Sequence, residues 1–450
     1  MTAQNQKNSS EILTPNDRTA FESAAPWLSA EERRWLREHM SKWLGVGSTT
    51  SFLPAAHPFV PSAQRSALSR SRSETVPAFF RNCLRVYQAV ICDEISPVVG
   101  KAIYEDCLPG LGLEYHRSLG QAAQTTPHSF RTDESLSGKL YEIQVPGSGW
   151  GEYLLLSEYF SSLHGVKGVS ATTTVSTYID ALRRALYTND PCLLYLSDTS
   201  TGQTGVRYFI QRARAAGAHF YGWDPEVHAK HVTHIKSHSW RSLFTEHNAA
   251  EHLARAPHEP TLYDSSLNWM FYSKVMTALP FWRHTFEFFT DSDRALFPFT
   301  AILEPDGVQL SDGNLVGRRE FIANYLQGKR YFLKYAGFDL HKGSGGNGVY
   351  VLEGDSPRTL ARLKAAWDES AAGTTWIIQH AVDDKGSSTM QTQSEVGKTS
   401  KLSVLCSFNT YLGSMVFTGT EPIVHAGTGA ALNICTDPVG YLGVLHRVRS

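Results

Sequence analysis

Lys334 closes a β-type run, Tyr331-Phe332-Leu333, and stands before a loop with five glycines: Gly337, Gly343, Gly345, Gly346 and Gly348. A second β-type run, Val349-Tyr350-Val351-Leu352, comes after it. Glycine has no Cβ, so backbone N–H groups in such a loop can turn inward onto phosphate oxygens. An ammonium about 4 Å from a phosphate oxygen contributes roughly 4 kcal/mol at intermediate dielectric. Lys334 with Gly343, Ser344, Gly345, Gly346, Asn347 and Gly348 therefore outlines a polyphosphate site. The competing reading of this stretch is a surface hairpin with a glycine-rich tip. Familiar glycine motifs are excluded. Gly343, Gly345 and Gly348 satisfy G-x-G-x-x-G, but a dinucleotide fingerprint opens a helix, whereas VYVLEG reads as a strand. A P-loop carries Lys-Ser/Thr after its last glycine, where this loop has Val349 and Tyr350, and the HRD and DFG segments of a protein kinase are lacking.

A second constellation lies upstream, in SFRTD (129–133) and LYEIQV (140–145) around the turn LSGK. Side chains two apart on a strand share a face, so Arg131 points with Asp133 and Glu142 with Gln144. Pairing of the two strands brings together one guanidinium, two carboxylates and an amide oxygen. Such a set suits Mg²⁺, which takes octahedral oxygen ligands from one or two carboxylates plus substrate phosphates and water. Arg131 could also grip a phosphate bidentately. The apolar neighbours Leu140, Tyr141, Ile143 and Val145 favour this reading over a solvated hairpin with ordinary ion pairs.

The elements that must position these groups can be read from pattern. Ser29 and Glu32 form a capping box that opens a helix ended by Gly45. Residues 47–73, rich in Ser, Pro and Ala with a basic SRSRS at 69–73, read as a linker or wrapping arm. From Val76 to Leu108 helical periodicity is broken by Pro97, which implies two helices. Residues 192–224 read as strand, Gly/Thr turn, amphipathic helix and strand. Seven histidines between His228 and His258 lack HExxH or partners at a known metal spacing; His231 and His234 could share a helical face. The aromatic stretch 261–303 reads as helices covering a sheet, with Lys274 and Arg283 as further candidate phosphate contacts by position alone. A helix ended by Gly328 leads into the Lys334 strand. A helix in PRTLARLKAAWDES, the strand TTWIIQHAVD, a polar excursion at 384–400 and C-terminal strands complete the chain. Trp150, Arg318 and Arg319 are candidates for substrate pockets.

With 450 residues, 42% hydrophobic and 11% aromatic, the chain can build a large core over two or three domains. Lys plus Arg number 42 and Asp plus Glu 43, so no global field favours nucleic acid or an anionic membrane. Six scattered cysteines without CxxC suit reduced thiols. No apolar run approaches about 18 residues, and the N-terminus has neither a basic nor an apolar leader region. The expectation is a soluble, cytoplasmic protein.

Taken together, the segments resemble a circularly permuted ATP-grasp ligase, similar in order to the glutathionylspermidine synthase group. Ordinary ATP-grasp enzymes place the metal carboxylate and asparagine after the phosphate lysine; in the permuted group they come first, as the R-x-D and E-x-Q segments do here. The resemblance covers roughly 125–445 and rests on motif order. It implies an α/β (α+β) ATP-grasp fold in permuted order with a strand-helix-strand pre-ATP-grasp unit. The implied divisions are an N-terminal helix and arm (1–75), helices plus the metal hairpin (76–185), the α/β unit (186–260) and a nucleotide-binding region (261–450). It implies ATP and Mg²⁺ as cofactors, and small carboxylate and amine substrates of the amino-acid or peptide class as partners. Asp133, Glu142 and Gln144 match the family's metal ligands, Arg131 its phosphoryl-directed arginine and Lys334 its phosphate lysine. Gly343–Gly348 match the phosphate-covering loop, and Gln379 the start of the hinge against adenine. Gln144 stands in place of the usual asparagine, and His380 where an acidic residue is common. The implied reaction joins a carboxylate to an amine through an acyl phosphate.

Overall fold

Alternating β-type runs bounded by Gly and Pro turns become strands of three sheets. In the computed structural model the described residues are 63–106, 112–135, 138–145, 204–222, 266–339 and 348–382, with strand segments at 52–54, 192–196, 234–237, 262–263, 389–393, 399–412, 423–426 and 440–444 and a few single positions. The first sheet contains β1 (Phe52–Pro54), β2 (Ser129–Glu134), β3 (Leu140–Gln144), β14 (Thr389–Gln393), β15 (Thr399–Leu412), β16 (Ile423–Ala426) and β17 (Gly440–Val444). Its order is β1-β17-β16-β15-β2-β3, with β14 on β15, so β3 forms one edge. The expected hairpin is therefore built into a sheet whose other strands come mainly from the C-terminal end of the chain.

The second sheet contains β8 (Thr300–Glu304), β9 (Gly307–Gln309), β10 (Leu315–Val316), β11 (Arg330–Tyr335), β12 (Val349–Glu353) and β13 (Trp376–His380), in the order β10-β9-β8-β13-β11-β12. Every pairing in it is antiparallel. Directly opposed residues share a face. Lys334 stands opposite Val349 on β12 and Ile377 on β13, with Phe332 opposite Gln379. The third sheet is parallel, order β5-β4-β6-β7, from β4 (Cys192–Leu196), β5 (His219–Gly222), β6 (His234–Ser237) and β7 (Leu262–Tyr263). It realises the expected strand-helix-strand unit.

Among the described residues the longest helices are α1 (Ala63–Ile91), α2 (Thr204–Ala215) and α3 (Pro357–Ala371). The first corrects the reading of residues 47–73. Ser69–Ser73 belongs to a helix of 29 residues that continues through Pro77, and Arg72 is buried. Low apolar content suggested a linker, but the helix gains its stability from packing rather than from propensity. Phe80, for example, meets Phe130 of β2 edge to face at 5.4 Å. The break at Pro97 is as read: α1 ends at Ile91 and Pro97 starts the next helical segment.

Two further readings change. Residues 266–296 form short 3-10 turns at Trp269–Phe271, Lys274–Thr277 and Phe286–Phe288 and one short helix, Asp291–Leu296, where helices covering a sheet were expected. Asn268 and Ser273 accept backbone N–H bonds from the residues two further on, which favours tight turns over helix propagation. Part of the polar excursion 384–400 is the β14/β15 pairing, Thr389–Gln393 against Thr399–Ser403. His234 lies on β6, so it shares no helical face with His231, and most of the histidine-rich stretch lies outside the described residues. No helix among the described residues is long and apolar enough to cross a membrane.

Among the described residues the core has two clusters of buried side chains, one on each side of the second sheet. One packs α1, the buried side of β2 and β3 and the aromatic turns against Ile302 and Ile377. The other packs α3 and the aromatic residues Phe321, Tyr331 and Trp376 on the reverse side of the second sheet.

Candidate functional site

The β2–β3 register decides the site. Arg131 pairs with Gln144 and Asp133 with Glu142, so all four side chains occupy one face of the hairpin. Phe130, Thr132, Glu134, Leu140 and Ile143 are buried on the other. Between Asp133 and Glu134 the register slips, leaving Tyr141 as an extra residue on β3. Sequence reasoning missed this β-bulge. Its signal is nonetheless present: the buried residues Leu140, Ile143 and Val145 are spaced three then two apart, which strict alternation cannot produce.

The bulge has a purpose in the geometry. Lys334, 5% exposed on β11, reaches from the second sheet to the first and donates to the Tyr141 carbonyl at 2.9 Å. It also donates to Gln379 Oε1 at 2.7 Å. The Tyr141 ring meets Phe332 at 6.2 Å, so the two sheets face each other across this contact. Gln379 is fully buried, and its Nε2 donates to Thr300 Oγ1 at 3.0 Å. Its side chain orients the lysine from below, at the position where the resemblance expected the start of the adenine hinge. His380, next along β13, lies on the reverse face between the rings of Phe299 and Tyr331, at 5.2 and 4.9 Å. Burial and nearby Lys329 hold its pKa below the usual histidine value.

Arg131 grips Asp133 bidentately, with Nε to Oδ1 at 2.9 Å and Nη2 to Oδ2 at 3.1 Å. Lys274 Nζ lies 3.7 Å from Glu142 Oε1. Of the two cations noted by position, Lys274 thus joins the site, carried there by the turn that Ser273 caps. Arg283 pairs with Glu304 instead. Three cations and two carboxylates meet here, with side-chain exposures of 14–15% for Asp133, Arg131 and Lys274 and 25% for Glu142. Burial pushes the Asp133 carboxyl up to about 6, helped by the Glu142 charge and opposed by Arg131 and Lys334. Burial acts the same way on Glu142, but Lys274, Lys334 and Arg131 outweigh it and hold that carboxyl below its usual value. Partly dehydrated charge of this density is a poor way to stabilise a fold and a common way to build a site.

The donor set fits Mg²⁺. Two carboxylates and the Gln144 amide lie on one face, Glu142 is kept ionised, and a substrate phosphate and water can complete an octahedron. Among the described residues no group of three or more His, Cys, Asp or Glu is arranged to hold a metal ion. Gly343, Ser344, Gly345, Gly346 and Asn347 lie outside the described residues, as does Trp150. Gly348 is described, directly before β12, and its carbonyl accepts from Tyr335 N–H at 2.8 Å. Arg318 lies over Trp367 and pairs with Asp368, on the reverse side of the second sheet. It is no part of the cleft.

No protein-family model matches the sequence, and no curated protein does. Among solved structures, a glutathione synthetase-like effector from Globodera pallida, in its apo form, superposes over 97% of this chain and 100% of that one. The TM-score is 0.50 at 11% identity. The chain has a glutathione synthetase-like fold. At this identity the likeness concerns fold alone, so the chemistry must be argued from the residues.

Proposed function

We propose that this protein is an ATP- and Mg²⁺-dependent carboxylate-amine ligase, with the ATP-grasp segments in circularly permuted order. One observation carries the reading: a single hairpin face presents Arg131, Asp133, Glu142 and Gln144 to a cleft crossed by Lys334 and edged by Lys274. Asp133, Glu142 and Gln144 would hold Mg²⁺, which when bound neutralises phosphate charge and orients its oxygens. Lys334, Lys274 and Arg131 offset the negative charge that spreads over the transferring phosphoryl group. Gln379 and the Tyr141 carbonyl fix two of the three Lys334 N–H donors before substrate arrives, so little reorganisation is required.

The reaction needs no nucleophile from the protein. A substrate carboxylate oxygen attacks the γ-phosphorus and the bond to ADP breaks. The amine nitrogen then attacks the acyl carbon, phosphate departs with the electron pair, and the nitrogen gives up a proton. The site's work is positioning and charge stabilisation. The fold of the glutathione synthetase-like neighbour supports the same class, and the substrates would be small molecules of the amino-acid or peptide class, met in the cytoplasm.

A nucleotide-binding protein without ligase turnover is the second reading, favoured by Gln144 where the family carries asparagine. Phosphorylation of a small molecule by the same site is the third. Release of ADP from Mg-ATP, with amino acids and small peptides added singly and in pairs, separates them. Turnover that requires two substrates, with a product one water lighter than their sum, supports the ligase; a phosphorylated single substrate supports the kinase. ATP binding with no turnover across the panel supports the second reading, and no ATP binding removes all three.

A further inference from the structure

The hairpin is gripped from behind. On its core face Arg72 of α1 donates through Nη2 to the Gly138 carbonyl in the β2–β3 turn. Its Nε lies 3.8 Å from Glu134 Oε2, with side-chain exposures of 6% and 0%. Thr132 Oγ1 donates to the other Glu134 oxygen at 2.6 Å. Glu134 follows Asp133 directly, and the register slip falls between them. Gly138 has φ +92°, and a Cβ there would collide with Leu68 of α1, so the turn lies hard against the helix. Lys139 provides a second tie, donating to the Ala295 carbonyl at 2.7 Å.

A buried arginine and carboxylate are expensive to dehydrate, and an apolar pair of similar volume would serve stability as well. Here the pair contacts the two points that set the hairpin's register, the turn and the residue at the slip. We infer that Arg72 is a positioning residue for the cleft: through Glu134 and Gly138 it fixes the bulged register that places Asp133, Glu142 and the Tyr141 carbonyl. This inference rests on the proposed Mg-ATP site. A displacement of about 1 Å in such donors can cost on the order of a hundredfold, whereas Lys334, on the other sheet, is held independently by Gln379.

The test compares wild type with Arg72→Met and Arg72→Lys. Affinity for ATP is measured by calorimetry with Mg²⁺ and with EDTA, and hydrogen exchange is followed across 129–145. The expected result is at least a tenfold loss of the Mg²⁺-dependent gain in affinity in Arg72→Met, with affinity in EDTA within twofold of wild type. Arg72→Lys, which can still donate to Gly138, should recover part of the gain. A merely structural role would weaken both affinities equally, and that outcome overturns the proposal. In Arg72→Lys, hairpin amides should exchange at least tenfold faster while α3 amides are unchanged; unaltered hairpin exchange also overturns it, and this readout serves if Arg72→Met does not fold. Should wild type bind no ATP in either buffer, the ligase reading falls, and hydrogen exchange still decides whether Arg72 sets the register.

Discussion

The two faces of the β2–β3 hairpin each present a carboxylate to an arginine, from the adjacent residues Asp133 and Glu134: Arg131 on the cleft side and Arg72 of α1 on the core side. Their surroundings differ. Arg131 and Asp133 are about 15% exposed and share the cleft with Glu142, Lys274 and Lys334. Arg72 and Glu134 are sealed between α1 and the sheet, and their further partners include a turn carbonyl and a threonine hydroxyl. The same chemistry on opposite faces thus has opposite uses. The cleft pair can exchange its partners for a ligand, while the core pair can only hold the strands in place.

The largest expected effect breaks the core pair. Glu134→Ala leaves Arg72 charged and uncompensated in the core and should cost about 3–5 kcal/mol of stability in urea unfolding. Asp133→Ala should cost about 1 kcal/mol or less, because its pair is partly solvated; equal losses would erase the distinction between the faces. Activity should show the opposite pattern: Asp133→Ala or Glu142→Ala should lower ADP release by about 10²–10³-fold with the fold retained and the melting temperature lowered by no more than about 4 °C. Full turnover in a folded variant would remove the metal assignment.

Hydrogen-ion linkage offers a third comparison. His116 is fully buried; its Nδ1–H donates to the Gly112 carbonyl at 2.8 Å and its Nε2 accepts from Trp269 N–H at 3.1 Å. Burial, only partly offset by the Gly112 bond, lowers its pKa to about 4. Above the unfolded value near 6.5 the ring is neutral in both states and contributes nothing to pH dependence. As pH falls from about 6.5 to 4 the unfolded chain takes up a proton that the native state refuses, so about 3 kcal/mol is lost. Urea titrations at several pH values should show this loss in wild type and not in His116→Gln. The smallest effect belongs to Gln379→Leu, which removes an acceptor that orients Lys334 and should weaken ATP binding about tenfold. An unchanged affinity would mean that Gln379 is not needed to place the lysine.

Much of the cleft was legible because strands have a period of two. Arg131 with Asp133 and Glu142 with Gln144 could be placed on common faces from spacing alone, and the antiparallel pairing of β2 with β3 joins them. The Lys334 strand, the strand after the glycine loop and the helix in 357–371 were legible for similar local reasons. Less legible were features set by distant partners. Residues 63–73, part of the 47–73 segment, looked like an arm because helix stability there comes from tertiary packing. The aromatic stretch looked helical because apolar content does not distinguish long helices from 3-10 turns packed in a core.

By itself, then, the sequence determined which side chains share a face, since that follows from backbone geometry within a few residues. It also determined the order of the acidic hairpin and the basic strand along the chain. Only the tertiary structure decided that the hairpin and Lys334 face each other, that Lys274 joins them while Arg283 does not, and that Gln379 orients the lysine from below. These relations depend on how separate sheets pack, and nothing in local spacing encodes the distance between two sheets. The bulge at Tyr141 lies between the two cases. Its irregular apolar spacing is written in the chain, but its meaning appears only when Lys334 arrives from the opposite sheet to meet its carbonyl.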